Sequence, residues 1–343
     1  MLSNFFLSSE ITKEYDISFS YVYSKEYEIG LRGKVNPIFP IYQIKSPSSL
    51  NFIKFLPKSP HFFIRILRFL IRSIVVCPIF IYEVIMLYKI FRSIGPDIIH
   101  INNSGYPSSL SCRIASVSAK LAGIPCVLMV VNNMAVDYKR PSRLFDFPLD
   151  MLVSRFVTQF ITGSDSAGKQ LKKVLKLKDF KHQTMHNGIS FSKASETNSE
   201  VRRRLGLDGY TGIIFGVVAI LKPNKGHKIL LESINKIVET GTLKSSEFKV
   251  LIEGRGPMLN ELKALIDELG LSDYCILVGV EKNIVNFMSF IDVLIFPSIE
   301  YEDFPNVVIE AMGLGKPVIS SILAGTSEQV IDGLTGILVE PRD

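Results

Sequence analysis

Two glutamates, Glu302 and Glu310, flank a proline in the stretch from Phe296 to Val318, which reads FPSIEYEDFPNVVIEAMGLGKPV. A strand ending at Phe296 would hand over to a loop carrying Glu300, Glu302 and Asp303. Pro305 then stands where a helix can begin, since proline is tolerated at the first helical position. At such a start the backbone N–H groups of Phe304, Asn306 and Val307 have no partner inside the helix, and the positive end of the helix dipole lies behind them. That combination suits a diphosphate. Glu302 falls before the helix and Glu310 inside it, so each carboxylate can accept hydrogen bonds from sugar hydroxyls without abutting the phosphates.

Other reactive side chains carry weaker signals. His182 and His186 lie four apart in HQTMH, but the glutamate of a zinc-binding H-E-x-x-H helix is missing and the following Asn-Gly reads as a turn, so no metal site is expected. Cys77, Cys112, Cys126 and Cys275 are far apart and form no C-x-x-C pair, which argues against a disulfide framework and suits a reducing compartment. His100, at the end of DIIHI, reads equally well as a ligand-facing side chain and as a core histidine. With no G-x-G-x-x-G and no assignable Ser-His-Asp set, hydride transfer and acyl hydrolysis lack their residues, and no cofactor is expected.

Such a site needs strands to carry its loops. Apolar runs at 97–101, 125–131, 158–162, 212–219, 248–254, 274–279, 292–298, 316–321 and 336–340 are mostly continuous rather than alternating, the mark of strands buried on both faces of a parallel sheet. A further strand-like run covers 17–23. Helical patterns at 226–239, 258–269 and 306–312 alternate with the strands, which predicts a doubly wound α/β architecture. At 343 residues the chain exceeds one hydrophobic core and predicts two domains. The polar stretch from Ser190 to Arg204 is the expected linker. It divides an amino-terminal Rossmann-like domain (1–189) from a carboxy-terminal one (205–343), with ligands expected in a cleft at the carboxyl ends of the strands.

Charge is uneven. Residues 1–160 carry 18 basic and 10 acidic side chains, whereas the rest carries 21 and 23. Within 51–94, seven basic residues face only Glu83 and alternate with phenylalanines. The longest uncharged stretch there, Ser73 to Tyr82, is ten residues and contains Pro78, well short of the roughly 20 a membrane-spanning helix needs. Amphipathic helices against an anionic membrane surface, or an ordinary solvated basic face, are the readings this pattern supports. No zinc finger, helix-turn-helix or RNP motif accompanies it, so no nucleic-acid partner is expected. A secretory signal pattern is also lacking, which predicts a cytoplasmic protein, peripheral on the inner face of the membrane.

The pair Glu302 and Glu310 inside EDFPNVVIEAMGLGKPVI resembles the E-x7-E signature of retaining GT-B glycosyltransferases of the large family 4-like group (glycosyl transferases group 1). Further matches are Lys225-Gly226 in LKPNKGHKILLESI, the EGRGPMLNELKALIDELGL segment, the HNGI turn at 186–189 and VIDGLTGILVEP. They cover the carboxyl half almost continuously. The amino half matches more loosely, through PDIIHINN, AGIPCVLMVV and FITGSDSAG. The resemblance implies two Rossmann-like domains facing across a cleft and a nucleotide diphosphate sugar as donor, a UDP-sugar in preference to a GDP-sugar. It implies a glycan or lipid-linked acceptor of the surface-polysaccharide kind, retention of configuration and no metal. Glu310 would bind the ribose, Glu302 the transferred sugar, and Lys225 the departing diphosphate, while Val280 would meet the nucleobase through its backbone.

The sequence also departs from that family. Where relatives often carry an arginine, six residues before Gly226, this chain has Ile220, and Lys222 or Arg255 is the expected substitute cation. Asp303 replaces the family's common glycine and is expected to cap the following helix. Asn132 and Asn133 stand where many relatives have a histidine, as acceptor-side candidates able to hydrogen-bond a sugar but not to shuttle a proton. A strand and a glycine-rich turn are expected upstream of Met1, and further helices beyond Asp343. A donor-binding partner subunit without catalysis and a nucleotide-sugar epimerase are the alternative functions.

Overall fold

The computed structural model describes residues 9–22, 40–44, 62–139, 141–190, 193–300 and 302–343. In chain order the first elements are α1 (Ser9–Glu14), β1 (Phe19–Val22), β2 (Ile41–Ile44) and α2 (Phe62–Ile94). After them come β3 (Ile98–Asn103), α3 (Leu110–Leu121), β4 (Cys126–Val131), α4 (Pro141–Leu144), α5 (Phe147–Phe156), β5 (Gln159–Thr162), α6 (Asp165–Leu175) and β6 (His182–Thr184). The remainder runs α7 (Asn198–Arg204), β7 (Ile213–Val218), α8 (His227–Glu239), β8 (Phe248–Glu253), α9 (Leu259–Glu268), β9 (Cys275–Gly279) and α10 (Ile284–Phe290). It closes with β10 (Val293–Phe296), α11 (Asn306–Gly313), β11 (Val318–Ser321), α12 (Thr326–Gln329) and β12 (Gly336–Val339).

The carboxy-terminal sheet has the order β12-β11-β10-β7-β8-β9, with parallel pairing throughout. On β8, Leu251 joins the core on one face with Phe287, Leu294, Val308 and Val318, while its neighbours Val250 and Ile252 join Leu231, Leu262 and Ile266 on the other. Successive side chains of a strand point to opposite faces, so a sheet covered on both sides requires apolar residues at every position. That is why these strands read as continuous apolar runs.

Two shorter sheets precede it. β1 and β2 pair in parallel, and β3-β4-β5-β6 form a four-stranded sheet. β2 and β6 have no counterpart among the predicted strands. HQT at β6 lacks any apolar run and is held instead by pairing with β5, Phe160 opposite His182.

The described residues pack as two compact units. One comprises Met1–Ile101, Ser109–Leu128 and Phe147–Thr158; the other comprises Asn102–Ser108, Met129–Asp146 and Gln159–Asp343. In the first unit, Ser109 caps α3, and Ser111 Oγ donates to Glu83 Oε2 on α2 at 3.1 Å. Arg113 on α3 meets Asp150 on α5 at 3.1 Å, both buried. The second unit takes in β5, α6 and β6 as well as the carboxy-terminal sheet. The stretch 190–204 is not wholly a linker. Thr197 and Glu200 form a reciprocal capping box, which starts α7, and Val201 is buried in the carboxy-terminal core.

α2 carries Pro78 in its interior. Residues 51–61 lie outside the described residues, as do the side chains of 62–77, which include Arg65, Arg68 and Arg72 of the basic segment. Among the described residues no helix is long and apolar enough to cross a membrane.

Candidate active site

In the carboxy-terminal sheet, the chain reverses its direction of winding at β7, which lies between β8 and β10. Loops leaving the carboxyl ends of strands on either side of such a switch diverge and leave a crevice. Here those loops are 219–226, after β7, and 297–305, after β10.

The first loop ends in a single 3-10 turn, Pro223–Lys225, followed by Gly226 at φ +73°. A Cβ at Gly226 would lie 1.8 Å from Pro297 O, so the left-handed backbone and the close approach of the second loop both demand glycine here. Ile299 N donates to Asn224 O at 2.9 Å, completing the seam between the loops. The outcome is an ion pair between Lys225 Nζ and Glu302 Oε1, 77 positions apart in sequence. Ser298 Oγ donates to the same oxygen at 2.9 Å, and the ammonium stands 5.8 Å from the centroid of Phe296. Substituting Gly226→Ala is expected to cost at least ~2 kcal/mol, from left-handed strain plus the backbone clash, and to lower the urea midpoint at constant slope.

His227, next in sequence, is buried at the start of α8, and neither ring nitrogen has a partner with good geometry among the described residues. Burial and, secondarily, the Lys225 ammonium push its pKa down to about 4, against a weaker upward pull from the Lys222 backbone. A folded pKa below the unfolded value of 6.5 means that the unfolded chain takes up the proton first. Stability therefore falls as pH drops from about 6.5 towards 4, by ~3 kcal/mol at most from this group. His227→Phe is expected to flatten the acid limb by that amount in denaturant titrations between pH 7 and 4.

Glu310 sits in the second turn of α11, half-buried. Its carboxylate has no partner among the described residues, and burial raises its pKa. Pro305 is the cap residue of α11, one position before the helix, and makes no side-chain cap bond. The N–H groups of Phe304, Asn306 and Val307 donate to no described residue. Asn187 braces this helix start: its Nδ2 donates to Phe304 O at 2.9 Å and to Asn306 Oδ1 at 3.0 Å. His186 stacks on the Phe304 ring, with centroids 4.5 Å apart. His182 instead meets Thr162 Oγ1 at 2.8 Å through Nε2, so the two histidines serve separate partners.

Asp303 does not cap α11. Its buried carboxylate turns to Gly163 N at 2.8 Å and Ser164 Oγ at 2.5 Å. Capping requires a side chain at the residue immediately before the helix, and Pro305 holds that place.

Among the substitute cations, Lys222 and Arg255 are both exposed and form no ion pair among the described residues. Leu221 N donates to Arg255 O at 3.0 Å and Met258 N to Leu221 O at 3.2 Å, so the Arg255 segment lies against the loop that bears Ile220, itself 54% exposed. A cavity of about 420 Å³ opens beside Lys222, Pro223, Asn224 and Ile299, with Glu300 and Arg342 paired across 3.1 Å on its wall. Val280 is exposed just past β9, where Glu281 N donates to the buried Glu253 at 3.1 Å.

The acceptor-side candidates are on other elements. Asn132 Nδ2 donates to Asn102 Oδ1 and, at 3.1 Å, to Asn103 O. Asn133 Oδ1 accepts from Met134 N at 2.8 Å, and His100 stands exposed on β3. The sequence reading assigned no role to Ser298 or Asn187. Ser298 carries no local signal, whereas Asn187 lies within the HNGI turn that the family resemblance includes without a role for this asparagine.

Comparison with known proteins bears on this geometry. Residues 200–343 match the model of the glycosyl transferases group 1 family. The chain carries a group 1 glycosyltransferase domain. That domain holds Lys225, Glu302 and Glu310. The chain is 28% identical over 267 residues to the UDP-Gal:alpha-D-GlcNAc-diphosphoundecaprenol alpha-1,3-galactosyltransferase of Escherichia coli, covering 76% of this chain and 67% of that protein. It spans about two thirds of the length of such relatives. Its structure is similar to that of Anabaena Alr3699/HepE, solved in complex with UDP (TM-score 0.70, 17% identity, 97% of this chain and 80% of that one). It is also similar to a glycosyltransferase from Rickettsia africae (TM-score 0.72, 16% identity, 100% and 80%). The fold around the group 1 domain is α/β, of the GT-B glycosyltransferase kind.

Proposed function

We propose that this protein transfers a sugar from a UDP-sugar to a lipid-linked or polysaccharide acceptor, with retention of configuration and without a metal. The observation that carries the reading is the arrangement at the switch point: Lys225 and Glu302 paired across two loops, beside a helix start with undonated N–H groups and the unpartnered Glu310. In the transfer, the bond from the anomeric carbon to the diphosphate oxygen breaks and a bond to the acceptor oxygen forms. The acceptor's proton passes to the departing phosphate on the same face, so the chain need not supply a base. Negative charge builds on the diphosphate, and a fixed ammonium with preorganised N–H donors stabilises it. Glu310 would hold the ribose, Glu302 the transferred sugar, and Val280 the base. Lys222 or Arg255 would supply the charge that Ile220 does not.

The UDP complex of the Anabaena structure and the diphosphoundecaprenol acceptor of the E. coli relative support the donor and acceptor classes. With a nucleotide-sugar donor and a lipid-linked acceptor the protein would work in the cytoplasm, peripheral on the inner face of the membrane, with the basic segment 51–94 towards anionic lipid. The division into an acceptor-side part before 190 and a donor-side part after 204 belongs to the same proposal. Calorimetric titration with UDP, GDP and ADP tests the donor site: UDP is expected to bind most tightly, and no binding of any of the three would contradict the reading. The exposed Ile220 favours one other reading, a donor-binding subunit without catalysis, which would bind UDP-sugar but release no UDP on adding acceptor.

A further inference from the structure

We propose that Asp303 is a positioning residue that clamps the donor loop to the two residues leading into α6, through Gly163 N–H and Ser164 Oγ, and so fixes the setting of Glu302 and of the α11 start. The inference rests on the reading of this loop as the donor site.

Asp303 is 4% exposed and Ser164 is fully buried. One carboxylate oxygen takes Gly163 N at 2.8 Å and the other takes Ser164 Oγ at 2.5 Å. The same residue's carbonyl accepts Gly325 N at 2.8 Å, so Asp303 is held from both its side chain and its backbone. It lies directly between Glu302, which Lys225 and Ser298 engage, and Phe304, which His186 and Asn187 engage. A shift at Asp303 therefore moves the sugar-binding carboxylate and the phosphate-facing N–H groups together.

Ser164 is itself the cap of α6, where its Oγ accepts Ala167 N at 3.1 Å while giving its own proton to Asp303. A second carboxylate, on α12, serves the same helix start, and the residues flanking it are themselves tied to the donor loop: Gly325 N donates to Asp303 O and Gln329 Nε2 to Pro305 O at 3.1 Å. Glu328 takes Asp165 N and Ser166 N, each at 2.9 Å, and Ser166 Oγ at 2.8 Å. The negative charge that a helix start favours is thus supplied to α6 from within the chain, twice. Only Asp303 stands within the donor loop itself, between Glu302 and Phe304. Burial raises the Asp303 pKa and the nearby Glu328 charge adds to the rise, while the hydrogen bonds from Ser164 and Gly163 pull the other way.

The test compares Asp303→Ala, Asp303→Asn and Glu328→Gln in the full chain, reading UDP-sugar KM and kcat together with amide hydrogen exchange over residues 298–307. Asp303→Ala is expected to raise donor KM about tenfold or more, the scale of a lost hydrogen bond to a charged acceptor, and to deprotect 298–307. Asp303→Asn, which keeps an acceptor oxygen for Gly163, is expected to recover most of both. Glu328→Gln is expected to lower the melting temperature and to raise donor KM far less than Asp303→Ala does, because it keeps both side-chain bonds of Asp303 and the backbone ties of α12 to the donor loop. Unchanged exchange and donor KM in Asp303→Ala would overturn the clamp, as would an equal loss in Glu328→Gln. A wild-type protein that binds no nucleotide counts against the donor site itself; the exchange arm still decides whether the clamp exists.

Discussion

Replacing Lys225 by alanine is expected to lower the rate of sugar transfer by about 10²–10³-fold, the scale seen when one preorganised stabiliser of transition-state charge is removed. The reason lies in where the ammonium is held. Gly226 turns the chain so tightly against Pro297 that Lys225 projects from a fixed point, and Glu302 and the Phe296 ring fix its far end. Because the charge on the leaving diphosphate is greatest in the transition state, the loss should fall on kcat more than on donor KM. Removing one partner of a largely buried pair also destabilises the fold, so the melting temperature is read alongside. Lys225→Arg, which keeps the charge but not its position, is expected to fold normally and to recover only part of the rate. A Lys225→Ala protein that turns over within threefold of wild type would remove Lys225 from the mechanism.

The two glutamates are expected to separate in binding. Glu310→Ala should weaken UDP and UDP-sugar by similar factors, about 10- to 150-fold, as expected when a hydrogen bond to a charged acceptor is lost. Glu302→Ala should spare UDP while reducing transfer. Their surroundings differ: Glu302 is engaged by Lys225 and Ser298, whereas Glu310 is half-buried without a partner among the described residues and burial raises its pKa. Equal loss of UDP affinity in both variants, measured by calorimetry, would defeat this division.

The extent to which the sequence foretold these features depended on the range of the interactions involved. The strands of the carboxy-terminal sheet were readable because burial on both faces forces apolar residues at every position, as Val250, Leu251 and Ile252 show. Lys225 and Glu302 were singled out by the resemblance of their motifs, and it is the seam between two loops 77 positions apart that brings them together. β6 was not readable, since its His-Gln-Thr run depends on pairing with β5 rather than on its own hydrophobicity. Asp303 was misassigned for a related reason. Local spacing places it near a helix start, but its partners Gly163 and Ser164 are about 140 positions away, and no local pattern reveals which distant N–H will claim a carboxylate. The helix at 198–204 shows the converse error: a polar composition suggested a linker, although Thr197 and Glu200 spell a capping box that composition alone ignores.

In the proposed transfer the donor's diphosphate leaves as its sugar joins the acceptor. The direct measurement is UDP release from a panel of UDP-sugars, with and without a diphosphate-linked lipid glycan, followed by identification of the product. The proposed mechanism predicts UDP release that depends on acceptor, matches the sugar incorporated one for one, and is abolished together with incorporation in Lys225→Ala. UDP-sugar binding without acceptor-dependent release, for every donor and acceptor offered, would contradict it and leave a protein that holds the donor but does not transfer it.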